Sequence, residues 1–393
     1  MFRRKIYEEL EAHLLKKQVT VITGMRRVGK STAVRHLLNR VPHTNVLYLD
    51  LERIENRILF NQQSYNDIER GLQALGLSFT EPAVVALDEI QLVPAITSVI
   101  KSLYDTYNIK FIVTGSSSFY LKNHFSESLA GRKQIFEMHT LDFEEFLLFR
   151  NQDLNGLQVG RMQPFLFTFY DRWLGLYEEF VQYGGFPEVV LSDSAQEKTD
   201  YLKDVLNAYI ELDIKLLADF SLSDTLYKLI QLLAVRVGSR MDYSKLASLI
   251  GENRNKVKDY LHLLEYTYFI QIVRPYTGGL NKELTKQPKF YFSDTGLLQL
   301  MGQVSSGQLF ENAIANQLTR LGPLNYYERT TGTEIDFILD RNQAFEVKET
   351  CTPQDVKVLN GRAKLLDLSD SRLIGRHWPA SGFSDFVWGG SVW

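Results

Sequence analysis

From Gly24 to Thr32 the sequence reads GMRRVGKST, with Gly24, Gly29, Lys30 and Ser31 at the fixed positions of G-x-x-x-x-G-K-[ST]. The spacing is a chemical one. Glycines let successive backbone N–H groups curl around phosphate oxygens, the lysine meets the outer phosphates, and the serine hydroxyl ligates Mg²⁺. Gly24, Met25, Arg26, Arg27, Val28, Gly29, Lys30, Ser31 and Thr32 are therefore the candidate nucleotide loop. A plain glycine turn is the alternative, but VTVIT before the loop and STAVRHLLNRV after it supply the strand and helix that such a loop needs.

An acidic pair follows in the right place. AVVAL at 83–87 runs into Asp88 and Glu89; Asp88 is placed to hold Mg²⁺ through its waters and Glu89 to polarise an attacking water. Two acids after a strand also suit a helix N-terminus, a reading that the upstream loop disfavours. FIVTG at 111–115 is a further buried strand, ending among Thr114, Ser116, Ser117 and Ser118. A hydroxyl there reaches a γ-phosphate or the water, and Thr114 and Ser116 both qualify. Arg132 closes FSESLAGR at 125–132, read as a short helix stopped by glycine, where a ring-forming ATPase offers an arginine to its neighbour's nucleotide. That role implies a homo-oligomer; a solvated or salt-bridged arginine is the competing reading.

A second constellation lies three hundred residues on. EIDFILDRNQAFEVKET at 334–350 reads as a hairpin with its turn at Asp340-Arg341-Asn342. Side chains alternate along a strand, so a turn centred near Arg341 sets Asp336 opposite Glu346, with Lys348 on the same face as Glu346. Two carboxylates and a lysine, joined by Glu311 from the amphipathic helix LFENAIANQLTRL, form a set able to bind Mg²⁺, polarise a phosphodiester and activate water. An exposed face of compensating charges would look much the same in sequence.

Four segments carry these groups. Residues 1–142 alternate strands and helices. Residues 143–222 turn helical, interrupted by YGGFPE at 183–188, which reads as a hinge or sharp turn in a lid. Residues 223–285 read as helix, short helix, a turn at Gly251, a longer helix and an extended FIQIVRPYTGG, the order of a helix-turn-helix with a wing. Residues 286–393 hold the hairpin. Between Arg236 and Lys289, ten Lys and Arg face five Asp and Glu. Arg254, Lys256 and Lys258 open the longer helix, where phosphate contacts are made.

Composition bounds the rest. The 393 residues suit two to four domains, and 45% hydrophobic with 23% charged residues are globular proportions. The net charge of -3 argues against a wholly basic nucleic-acid coat. Cys351 is the sole cysteine and the seven histidines are scattered, so neither a disulfide nor a thiolate zinc cage is expected. MFRRKIYEELEAHLLKK suits neither a secretory signal nor a transit peptide, and no apolar run reaches membrane-spanning length, so the cytoplasm is the expected location and no membrane the expected partner.

Taken in order, TGMRRVGKST, VALDEIQ, VTGSSS, SLAGR, YGGFPE, SDTGLL, FEN, EIDFIL and EVKET resemble the bacterial and archaeal AAA+ (STAND-like) ATPases that carry a C-terminal domain similar to restriction endonucleases. The resemblance implies an α/β chain: a P-loop parallel-sheet domain (1–142), a helical lid (143–222), a winged helix (223–285) and a nuclease-like domain (286–393). It further implies ATP as the nucleotide, Lys30 and Ser31 on ATP and Mg²⁺, Asp88 and Glu89 on Mg²⁺ and water, an arginine finger at Arg132, and a D…E-x-K set in Asp336, Glu346 and Lys348. Ile335 stands where many such nucleases have proline. The expected activity is an ATPase associated with DNA, with Mg²⁺-dependent cleavage downstream. The alternative is a nucleotide-dependent switch whose C-terminal half binds a protein and cuts nothing. A small-molecule kinase is weaker, because no acceptor pocket is legible.

Overall fold

A computed structural model describes residues 2–62, 64–116, 129, 131–154, 167–214, 223–277, 286–329, 332–380 and 382–392. These fall into two compact units. One holds Arg3–His139 with Tyr266–Tyr268, the other Thr140–Glu265 and Phe269–Trp393. Three of the four predicted segments thus share a single unit. The expected helix over 125–132, Ser117 and Ser118, the end of the expected lid and the tip of the expected wing lie wholly or mostly outside the described residues.

The first unit is built on five strands: β1 (Val19–Thr23), β2 (Val46–Asp50), β3 (Ala83–Asp88), β4 (Ile109–Gly115) and β5 (Lys133–Glu137). Their order is β2-β3-β4-β1-β5 and every pairing is parallel. β1 and β3 are buried at every position, as strands covered on both faces must be. Val21, Val85, Leu87, Ile100, Phe111 and Val113 lie in the core cluster between the sheet and its crossover helices. Because the strands run parallel, the residues that follow β1, β3 and β4 all leave the sheet at its C-terminal edge. Ligands of open α/β sheets bind at this edge.

The second unit begins with helices, including Phe143–Phe149, Phe167–Tyr183, Pro187–Leu191 and Ala195–Ala208. The helices Ser223–Ala234, Tyr243–Ile250 and Arg254–Tyr266 then lead into β6 (Ile270–Pro275) and β7 (Lys289–Phe292), an antiparallel pair. β8 (Leu324–Glu328), β9 (Glu334–Leu339), β10 (Gln343–Thr350), β11 (Asp370–His377) and β12 (Val387–Trp388) complete a seven-stranded sheet of order β12-β11-β10-β9-β8-β6-β7. β6 also pairs in parallel with β8, through Arg274 with Asn325 and Pro275 with Tyr326. The expected wing is therefore continuous with the sheet that carries the hairpin.

YGGFPE is a sharp turn rather than a loose hinge. Gly184, at φ 77°, ends one helix and Pro187 opens the next. Asp294, which caps the helix Thr295–Met301, packs into the turn: Gly185 N donates to its Oδ2 at 2.8 Å and Gly296 N to its Oδ1 at 2.9 Å. A Cβ on Gly184 would lie 2.1 Å from Asp294 Oδ1, and one on Gly185 2.2 Å from the Leu141 carbonyl oxygen. Glycine is required at both places for room.

Burial pushes the Asp294 carboxyl up to about 6, against the pull of the Gly185, Gly296 and Leu297 N–H groups. The folded chain holds this proton to a higher pH than the unfolded chain, where aspartate titrates near about 4. The contribution of Asp294 to stability therefore falls as pH rises from about 4 to about 6 and is level above that. Urea unfolding at pH 4, 5, 6 and 7 is expected to show a loss on the order of 3 kcal/mol from this group across the window. Asp294→Asn should lack that component of the slope; equal slopes in the two proteins would contradict the assignment.

Candidate functional sites

β1 delivers the chain into the loop at the C-terminal edge of the first sheet. Gly24, at φ 143°, passes so close to β5's exit that a Cβ would sit 2.1 Å from the Met138 carbonyl oxygen. Gly29, at φ 102°, turns the chain into the helix Lys30–Leu38. Lys30 is only 4% exposed, and its ammonium donates to the carbonyls of Gly24 (3.0 Å) and Met25 (3.1 Å). Met25 and Val28 are buried, Ser31 and Thr32 stand in the first helical turn, and Arg26 pairs with Glu52 at 2.9 Å. Arg27 has φ 63°, unusual for a residue with a side chain. Arg4, invisible to the motif, fastens the loop from behind by donating to the carbonyls of Val28 (3.0 Å) and His139 (2.9 Å).

The acidic pair faces this lysine. Glu89 Oε1 is 3.8 Å from Lys30 Nζ. Asp88 accepts from Tyr48 at 2.7 Å through Oδ2 and from Thr114 through Oδ1, while Glu89 N donates to Thr114 Oγ1 at 3.0 Å. Burial first, then the bond to Asp88, raises the Tyr48 phenol well above its ordinary range, so it remains a donor. Thr114 is committed to Asp88 and the Glu89 backbone. Ser116 instead accepts from Gln91 at 3.1 Å. Both hydroxyls that the sequence offered are in the network, in different duties. A hydroxyl and a carboxylate at one sheet edge, Ser31 and Asp88, suit a hydrated Mg²⁺.

Arg132 is elsewhere. Its carbonyl accepts from Val19 N, at the start of β1, so it sits at the sheet's N-terminal end, opposite the loop. Its guanidinium pairs with Asp105 at 3.0 and 3.3 Å. Within one chain it is not brought to Lys30 and Glu89.

In the second unit the hairpin has the expected register. Phe337 pairs with Phe345 and Leu339 with Gln343, centring the turn on Arg341, and Asp340 and Arg341 both take positive φ. Beyond Phe337 and Phe345 the next residues are Asp336 on β9 and Glu346 on β10. Asp336 Oδ2 accepts from Val347 N at 2.8 Å, and Lys348 donates to Glu346 Oε1 at 3.0 Å. Four neighbours were not legible. Arg362 donates to both Glu346 oxygens (3.3 and 3.4 Å) and to the Glu334 carbonyl (2.5 Å). Tyr291 donates to Glu311 at 2.7 Å, and Lys289 donates to Glu334 at 2.5 Å. The polar groups of β7 gain meaning once the sheet order is known.

These carboxylates are held as an ion-pair and hydrogen-bond network. Burial, then the nearby Glu346 and Glu311, drive the Asp336 carboxyl well above the carboxylate range. Burial also raises Glu311, opposed by Lys289. Among the described residues no three His, Cys, Asp or Glu side chains form a group that could hold a metal ion. Of the expected Mg²⁺ set, Glu346 is paired with Lys348 and Arg362, Glu311 accepts from Tyr291 and Asp336 accepts from Val347 N.

Residues 16–147 match the family described as an AAA domain, and 174–308 and 306–381 match two domains of unknown function, DUF8612 and DUF4143. The first of these two runs across the boundaries expected at 222 and 285. The chain is 26% identical to an uncharacterised protein of Haemophilus influenzae over 357 residues, covering 86% of this chain and 85% of that one. It is 25% identical to one of Methanocaldococcus jannaschii over 384 residues, covering 94% and 84%. Among solved structures, the ORC2 protein of Aeropyrum pernix in its ADP form aligns with a TM-score of 0.39 at 15% identity, covering 69% of this chain and 87% of that one. Among the described residues no helix is long and apolar enough to cross a membrane.

Arg362→Ala should leave the Glu334 carbonyl without its donor and Glu346 with Lys348 alone. A loss of about 1–3 kcal/mol in denaturant unfolding is expected. A change under about 0.5 kcal/mol would reduce the contact to an ordinary surface pair.

Proposed function

We propose that the chain is an AAA+-type ATPase that binds ATP with Mg²⁺ and hydrolyses it, working in association with DNA. The observation that carries this reading is the buried Lys30 ammonium, held at the C-terminal edge of a parallel sheet 3.8 Å from Glu89, the residue that follows Asp88. In the reaction, the loop N–H groups and Lys30 bind the phosphates; Ser31 and Asp88 would hold a hydrated Mg²⁺, whose charge would offset that of the phosphates. Glu89 takes a proton from water as the water oxygen bonds to the γ-phosphorus, and the bond to the bridging oxygen breaks to release ADP and phosphate. A finger role for Arg132 requires a neighbouring copy and release from Asp105.

Association with DNA is supported by the three helices over 223–266, the antiparallel β6 and β7, and the +5 excess between 236 and 289. The segment 306–377 has the order helix, three antiparallel strands, helix, and a strand parallel to β10, which supports the nuclease-like reading of 286–393. The second reading, a nucleotide-driven switch that cuts nothing, is favoured by Lys348 and Arg362 on Glu346. These cations leave little negative charge for a divalent ion.

Lys30→Ala should abolish nucleotide binding, whereas Glu89→Gln should keep binding and lower kcat by about 10²- to 10³-fold; unchanged turnover in Glu89→Gln would remove its assigned role. Arg132→Ala should abolish turnover and spare ATP binding if the finger role holds. Duplex DNA binding should weaken steeply with salt, and no salt-sensitive binding at low ionic strength would remove the DNA association. Calorimetry with Mn²⁺ on wild type and Asp336→Ala, with a plasmid-nicking assay alongside, separates the readings: equal heats and no nicking favour the switch.

A further inference from the structure

β3 ends at Asp88, and Glu89 takes the left-handed conformation, φ 55° and ψ 52°. That reversal starts a single 3-10 turn, Ile90–Leu92, which folds the Gln91 side chain back under Glu89. Gln91 is 6% exposed. Its Nε2 donates to Glu89 Oε2 at 2.5 Å and to Ser116 Oγ at 3.1 Å. The carboxylate fixes the orientation of the amide, since a carboxylate only accepts and the reverse placement would set oxygen against oxygen. Gln91 Oε1 is then a buried acceptor without a donor. Buried amide oxygens are ordinarily paired, so one that is not asks for a ligand.

We infer that Gln91 is a positioning residue for hydrolysis, its N–H₂ holding Glu89 by one oxygen while its carbonyl accepts from the water that Glu89 activates. A water molecule has two protons to give. With one directed at Glu89 and the other at Gln91 Oε1, its lone pairs are left for the phosphorus. Ser116 enters this arrangement as the anchor of the amide, which gives the strand-end hydroxyl a role that its sequence position could not specify. The inference rests on the ATPase reading of the same site.

Steady-state hydrolysis over pH 5–9 and binding of a fluorescent ATP analogue to the full chain test it, using wild type, Gln91→Leu and Gln91→Glu. Gln91→Leu should lower kcat at least about ten-fold and leave nucleotide affinity within about two-fold. Gln91→Glu sets a second carboxylate against Glu89, so the acid limb of its kcat profile should move up by about one pH unit; a packing role would not move that limb. Turnover within two-fold of wild type in both variants, or affinity that falls in step with kcat, overturns the inference. An unmoved acid limb in Gln91→Glu does the same. A wild-type chain that binds nucleotide without hydrolysing it fails the ATPase reading itself, and the inference falls with it.

Discussion

A lysine ammonium almost removed from water has to be solvated by the protein around it. Lys30 draws that solvation from the Gly24 and Met25 carbonyls and from Glu89, and the arrangement of the first sheet follows from this need. β1 is buried at all five positions and delivers the loop at the sheet edge where β3 delivers the acids. The close pass of Gly24 against Met138 excludes any side chain there. Arg27 and Glu89 sit in the left-handed region at a cost of roughly 1 kcal/mol or more each. Arg4 bonded to the Val28 carbonyl and Thr114 bonded to the Glu89 N–H help hold that backbone in place.

What the sequence disclosed was what local rules determine. The glycine and lysine spacing of the loop, the apolar run into Asp88, and the strand period that set Asp336 across from Glu346 all depend on near neighbours. The observed hairpin centre on Arg341 agrees with that period. Partners from distant segments were not disclosed. Arg4 reaches the loop from ahead of β1, Tyr48 reaches Asp88 from β2, and Lys289 and Tyr291 meet Glu334 and Glu311 only because β7 joins the edge of the hairpin's sheet. Gln91 was in view within VALDEIQ. Its importance was hidden because the left-handed turn at Glu89, which brings it under the acid, has no composition signal when the residue is not glycine.

The two charged clusters solve opposite problems. At the loop, a single buried cation is set before two acids whose remaining bonds come from neutral donors, Tyr48, Thr114 and Gln91. Neutral donors orient a carboxylate without cancelling its charge, so both acids keep theirs. At the hairpin, acids and bases are paired with one another, and burial drives Asp336 toward its neutral form. Such a network resists added charge of either sign and gains from geometric fit. The strength of the second cluster is therefore conformational, whichever partner the domain engages.

β6 belongs to two structures at once: it is the antiparallel partner of β7 beside the basic helices and the parallel neighbour of β8 in the sheet that holds the hairpin. A strand shared in this way leaves no linker to absorb motion. Three residues after the helix Arg254–Tyr266 the chain enters β6, which meets β8 at Arg274 with Asn325 and Pro275 with Tyr326. The same feature limits how the chain can be divided, since a fragment ending near 285 would strip β6 of both neighbours and expose two unpaired edges.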